Sequence, residues 1–218
     1  MVGIPRKQAR SALLEAALGR LSEVGPVRTH PNEICQELGL SKALVNYHFG
    51  NREGLIREVI AVGYERYVDH LTAVAAAAGP AAIDRLLAWV EAQIDWTVAN
   101  PGLAAALDFP TVLGGEPSGD GDALAERIAE AGRRNFANLL ALVVEARREA
   151  IGTEPDLFET GLDGSIVGWL TLGVSVWISG RHLPTRALGY AEYLPSALDR
   201  VRAAVTELVT RPVAPRGD

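Results

Sequence analysis

Cysteine is almost missing from this chain: Cys35 is the only one in 218 residues. No disulfide can form within one chain, and a single free thiol suits a reducing compartment. Catalytic spacings are missing as well. The four histidines, His30, His48, His70 and His182, are scattered and include no His-Glu-x-x-His pair. There is no glycine-rich phosphate loop, no nucleophile elbow and no Glu-x-x-His pair of a di-iron bundle. An enzyme is therefore not expected, no metal site or cofactor is expected, and a helical enzyme is kept only as a remote alternative. A membrane span is missing too. The longest uncharged stretch, residues 164–180, has 17 residues and four glycines, short for a bilayer and better read as a buried helix. The basic start MVGIPRKQAR has no apolar run after it, so a signal peptide is not expected. A cytoplasmic protein with no membrane partner is the expectation.

What the chain does have is a hydrophobic content of 48%, enough for a sizeable core in one large or two small domains. The formal net charge of −6 argues at first against a polyanionic partner. Its distribution answers this. Residues 1–52 hold seven Lys/Arg against four Asp/Glu, while the remainder holds 14 against 23. A mildly basic head on an acidic body fits a DNA-binding domain joined to something that does not bind DNA.

The head carries the informative stretch, HPNEICQELGLSKALVNYHFGNREGL, residues 30–55. Ile34, Cys35 and Leu38 recur at helical spacing. Gly39 follows where helices commonly end in a left-handed residue, and Ser41 is a good N-cap for the next helix. Two short helices about a tight glycine turn form a helix-turn-helix. In the second helix, residues 42–49, Val45 and Phe49 share the anchoring face. Ala43, Asn46 and Tyr47 point the other way, with Leu44 at the margin. Asn46 can pair bidentately with adenine, and Tyr47, His48 and Lys42 can reach phosphate or base edges. Leu44 or Ala43 can touch a thymine methyl. Arg52, with the free amides of the helix that starts there, can hold a phosphate. Each residue taken singly also has a bland reading as an ordinary surface side chain.

The run GLSKALVNYHFGNREGL resembles the TetR family of transcriptional regulators in its glycine-apolar-serine turn, its Tyr-His-Phe ending, and the basic residue 52 followed by Glu53 and Leu55. The chain departs from the family pattern at Asn46, usually aromatic, at Ala43 and Leu44, usually Gly and Thr, and at Arg52, usually Lys. His30 stands where a helix-capping Thr is usual, with Thr29 one position early. The resemblance covers residues 8–60. It adds Thr29, His30 and Ser41 to the expected DNA-binding set of Lys42, Ala43, Leu44, Asn46, Tyr47, His48 and Arg52.

In order, the expectation is an all-α chain of about nine helices. A three-helix DNA-binding domain spans residues 1–51 and a helical regulatory, ligand-binding and dimerisation bundle spans 52–218. Residues 1–7 read as a loose arm and the first helix as about 8–24, ended by Gly25 and Pro26. Pro31 starts the second helix. The fourth, about 52–77, is shared by both domains and is a plausible lever. The fifth ends near Asn100, and a turn at Asn100-Pro101-Gly102 leads to a short sixth. A polar loop at 114–122 precedes the seventh, about 122–151. The eighth, about 156–181, is apolar nearly all round and needs cover on two sides. The ninth, about 195–210, carries Leu194, Leu198, Val201, Val205 and Leu208 as a coiled-coil-like seam.

With Gly168 on the eighth helix, Leu194, Leu198, Val201 and Val205 form the expected dimer interface. The alternative is that the ninth helix packs internally. The resemblance also implies a homodimer and a small-molecule pocket among helices four to eight. Tyr67, Trp89, Gln93, Trp96, Phe109, Asn135 and Trp169 are its candidate lining, although aromatic residues at helical spacing equally form core. The functional expectation is a repressor that binds a palindromic double-stranded operator and is released by a small, largely apolar effector. A DNA-binding architectural or protein-recruiting regulator with no small-molecule ligand is the alternative.

Overall fold

The computed structural model describes residues 6–108, 122–179 and 190–211. These residues form nine helices and no strand, the all-α architecture expected: α1 Arg6–Val24, α2 Pro31–Glu37, α3 Ala43–Phe49, α4 Arg52–Ala77, α5 Ala82–Ala99, α6 Pro101–Asp108, α7 Ala123–Ile151, α8 Leu157–Ser179 and α9 Tyr190–Thr210. Residues 114–121 of the expected polar loop at 114–122, the arm before residue 6, the tail after 211 and the candidate Phe109 lie outside the described residues.

The chain divides into two compact units. One comprises the chain up to Tyr67 together with Thr97–Gly132, and the other comprises Val68–Trp96 with the chain from Arg133 onward. The reason lies in α6. Gly102, in its first turn, sits so close to the end of α1 that a Cβ there would overlap the Leu21 carbonyl and the Gly25 amide. Gly63 of α4 is in turn pressed against Leu103 and Leu18. The core of this first unit therefore joins Leu13, Ala17 and Leu21 of α1 and Ile34 of α2 to Val45 of α3, Leu55 and Val59 of α4, and Leu103 of α6. Ion pairs link Arg10 of α1 to Glu58, Arg57 to Asp122 at the start of α7, and Arg127 to Glu65.

In the second unit, α7 lies along both α4 and α5. Asn138 donates to Thr72 Oγ1 at 2.9 Å, and Glu145 and Glu149 receive Arg85 and the Ala82 amide at 2.8 and 2.7 Å. Leu71, Leu86, Trp89, Val90, Leu139, Val143 and Val167 fill the core. α8 is long and apolar enough to cross a membrane by length and composition, and a third of its apolar window is buried here. Its inner stripe carries one charge. Asp163, fully buried, pairs with buried Arg147 of α7 and with Arg211 after α9 at 2.8 Å. Arg147 also donates to the Leu208 carbonyl at 2.9 Å. A carboxylate held by two guanidiniums is an inward-facing protein contact and fits poorly with lipid. Burial pushes the Asp163 carboxyl above the usual range, against the opposing pull of Arg147 and then Arg211.

α9 starts five residues before the expected Pro195, which lies inside the helix. The proline removes one internal hydrogen bond. Buried Val201, Val205 and Val209 carry the helix past it.

Candidate nucleic-acid interface

Pro31 opens α2, and Ile34 and Cys35 fix it to the core. The chain then turns through Gly39, whose φ of +64° is the left-handed conformation a Cβ disfavours. The Leu40 amide returns to the Cys35 carbonyl at 2.8 Å, which closes the turn. Ser41 Oγ accepts from the Ala43 amide at 3.3 Å, but the N-cap of α3 is Lys42, one residue later than the expected Ser41, and it makes no side-chain cap. His30 likewise sits at the N-cap of α2 and makes no side-chain cap. Burial in this turn pushes the Cys35 thiol up from its usual value, with Lys42 pulling weakly the other way.

α3 has one buried residue, Val45. Phe49, half-buried, lies under the Arg10 guanidinium, 5.4 Å from its ring centroid. With these inward, Lys42, Ala43, Asn46 and Tyr47 are exposed, Tyr47 at 81%. Leu44 and His48 are half-buried. The His48 ring stands edge-on to Tyr47 at 4.9 Å and to Phe49 at 6.1 Å. Its Nε2 is buried without a hydrogen-bond partner. A groove of about 470 Å³ runs between the start of α2 and this face. It is lined by His30, Pro31, Asn32, Lys42, Val45, Asn46 and Arg52.

Two of the sequence candidates sit differently from expectation. Thr29 is fully buried, and its hydroxyl donates to the Gly25 carbonyl at 2.8 Å. Its side chain is thus a turn-forming group rather than a surface contact. Arg52 lines the groove, but its Nε donates to the Thr29 carbonyl at 3.2 Å. Its Nη2 donates to the carbonyls of Pro26 and Val27 at 2.5 and 3.3 Å. The remaining candidates, His30, Ser41, Lys42, Ala43, Leu44, Asn46, Tyr47 and His48, cluster on α3 and the start of α2.

The described pocket candidates fall in both units. Tyr67, buried, belongs to the first unit, with its ring 6.0 Å from that of Tyr64. Trp89 and Gln93 are buried in the second unit and Trp96 is half-buried there. Trp89 Nε1 and Asn135 Oδ1 are buried without hydrogen-bond partners. Trp169 is a correction: it is 66% exposed. The inner stripe of α8 runs through Thr160, Asp163, Gly164, Val167, Thr171, Ser175 and Ile178, and Trp169 falls on the opposite side of the helix.

The interface candidates are corrected in part. Val201 and Val205 are buried inside the single chain, and the Gly168 side of α8 rests on Leu139 of α7. Leu194 and Leu198 are half-buried. The alternating seam of α9 is therefore spent largely on its own bundle. What sequence reasoning missed is the outer face of α8. Phe158, Leu162, Trp169 and Leu172 are each more than 40% exposed, at steps of four, seven and three that set them along one side. It also missed the Arg147–Asp163–Arg211 cluster. Asp163, the last charge before the long uncharged run, was its only signal.

Residues 13–59 match the family model of bacterial regulatory proteins, tetR family. Among curated proteins, none matches the chain significantly. Three solved structures share the fold. One, from Pseudomonas aeruginosa PAO1 and described as a transcriptional regulator, is 21% identical. It covers 94% of this chain and 95% of its own, with a TM-score of 0.60. The MbdR regulator from Azoarcus sp. CIB is 18% identical, with coverages of 94% and 98% and a TM-score of 0.56. A bacterial regulatory protein in the tetR family from Rhodococcus RHA1 is 23% identical, with coverages of 89% and 97% and a TM-score of 0.56. At these identities the likeness is one of fold.

Proposed function

We infer, from the match of residues 13–59 to the tetR-family model, that this chain is a DNA-binding transcriptional regulator, a homodimeric repressor of a palindromic operator that is released by a small, largely apolar effector. One observation carries the reading: α3 buries Val45 and turns Lys42, Ala43, Asn46 and the 81% exposed Tyr47 outward. A short helix with an amide, a phenol and an ammonium on its free side matches what base edges and phosphates accept. In this reading Asn46 reads adenine, Tyr47 and Lys42 hold backbone phosphates, and the groove beside α2 receives the strand edge.

One α3 spans too few base pairs for a specific site, and a two-fold pair reads two half-sites about 34–36 Å apart or multiples of that. The exposed apolar face of α8 supports a second copy as its occupant, with Trp169 in the centre of the contact. Effector binding is supported by Trp89 Nε1 and Asn135 Oδ1, buried polar atoms lacking partners, and by buried Gln93. An uncharged, partly aromatic molecule carrying a hydrogen-bond acceptor and a donor answers those groups. It acts by binding the DNA-free state better than the DNA-bound state, by several kcal/mol for effective release. The compartment proposed is the cytoplasm.

Selection of bound sequences from random duplex DNA tests the reading. The expected result is a two-fold symmetric motif with an adenine contacted in each half. A protein that enriches no sequence, or an asymmetric one, would remove it.

A further inference from the structure

We propose that Arg52 is a positioning residue for DNA binding: its guanidinium fixes the α1–α2 turn, and with it the first turn of α2, in register with α3. Inside the turn, the Thr29 hydroxyl holds the Gly25 carbonyl at 2.8 Å and the Gly25 amide holds that of Leu21 at 2.9 Å, which leaves the carbonyls of Pro26, Val27 and Thr29 to be fixed from outside. α1 ends at Gly25, whose φ is +80°, and Pro26 follows without an amide hydrogen. The Thr29 amide reaches the Pro26 carbonyl only at 3.4 Å. Three carbonyls, those of Pro26, Val27 and Thr29, then receive Nε and Nη2 of one guanidinium at 2.5 to 3.3 Å. The next residue is His30, the N-cap of α2, whose carbonyl accepts the Glu33 and Ile34 amides at 3.1 and 3.4 Å. Arg52 itself is carried on the first turn of α4, which Asn51 caps by accepting the Gly54 amide at 2.8 Å. Thus α4 holds the turn, and the turn sets where α2 starts. His30, Pro31 and Asn32 line the same groove as Lys42 and Asn46 of α3, so a shift of the turn alters the width of the surface that DNA meets.

A lysine cannot do this. Its three donors radiate from one nitrogen, whereas these carbonyls are spaced for two nitrogens of a rigid planar fork. The role differs from a phosphate contact, for which the charge alone counts and a lysine serves nearly as well.

The proposal rests on the DNA-binding reading, and its test separates the two. Operator binding by the full chain is measured against salt for the parent, Arg52→Ala and Arg52→Lys. Amide exchange is followed in all three proteins free of DNA. Both variants are expected to lose about tenfold or more in affinity, from the loss of several hydrogen bonds. The salt slope should stay parallel to the parent's. The Glu33 and Ile34 amides should exchange faster, while Val59 and Ile60 of the α4 core keep their protection. Parent-like affinity in Arg52→Lys would overturn the proposal. So would a slope shallower by about one in Arg52→Ala, the sign of a lost phosphate contact. Unchanged exchange at Glu33 and Ile34 would overturn it as well. If the parent binds no duplex, the DNA-binding reading fails, and the exchange data alone still decide whether Arg52 fixes the start of α2.

Discussion

α3 and α8 each leave an aromatic ring largely in water, Tyr47 at 81% and Trp169 at 66% exposure, but in opposite company. Around Tyr47 stand Asn46, Lys42 and Ala43, so the free side of α3 offers donors, an acceptor and a charge. Along the same side of α8 as Trp169 lie Phe158, Leu162 and Leu172, so the free side of α8 offers area and little else. A polar side is content in water and gains from a partner that matches its hydrogen bonds. An apolar side is penalised in water at roughly 25 cal/mol per Å² and gains from any surface of complementary shape. The first kind of face is built to discriminate and the second to adhere. The inner sides reverse the contrast: α3 is held by apolar Val45, whereas α8 is held in part by the ion-paired Asp163.

The largest effect is expected on that inner side of α8. Asp163→Ala leaves Arg147 buried and without its carboxylate, which costs about 3–5 kcal/mol where both partners are dry. All four tryptophans belong to the second unit, so urea unfolding followed by tryptophan fluorescence reads it directly. The double change Arg147→Met with Asp163→Leu should recover most of the loss, because desolvation offsets much of what a buried ion pair contributes. A single variant as stable as the parent would mean that the cluster is not dry and that the inner side of α8 resembles its outer side.

On the outer side, Trp169→Glu is expected to weaken self-association by about 2–4 kcal/mol, the range for an aromatic anchor at the centre of an interface. The unfolding midpoint of the isolated chain should hardly move, since the ring is already in water. Sedimentation over a dilution series measures the first, and denaturation at the lowest concentration the second. A variant that associates as the parent does would show that the apolar face of α8 is covered by something other than a second copy, or by nothing.

What the sequence disclosed follows the same contrast. The turn at Gly39 and Ser41 and the facing of Val45 against Tyr47 were legible because every contact that sets them lies within a few residues. The TetR resemblance rested on this local pattern, and the family match covers the same stretch. The Arg52 clamp was not legible, because its acceptors stand 23 to 26 residues away along the chain and no periodicity reports them. The packing of α6 on α1, about eighty residues earlier, was not legible for a similar reason. For α8 the difficulty was different. A helix apolar nearly all round has no periodicity to tell its inside from its outside, so Trp169 was assigned inward. In α9 the spacing marks a seam without saying what it meets, and Val201 and Val205 meet their own bundle, the alternative that the sequence left open.

The smallest effect is also the most discriminating. Asn46→Ala removes an exposed amide from α3, so neither the fold nor self-association should change. If Asn46 makes a bidentate pair with adenine, the variant loses about 1–3 kcal/mol of discrimination at one position in each half-site. Affinity for unrelated duplex should hold, because the backbone contacts that supply it remain. Comparing the selected-site profiles of parent and variant measures this. Relaxation confined to one symmetric pair of positions identifies the base that Asn46 reads. Uniform weakening at every position would place Asn46 on the phosphate backbone. Identical profiles would leave Tyr47 and Lys42 as the informative groups, and α3 would then differ from α8 in polarity but not in the ability to choose a sequence.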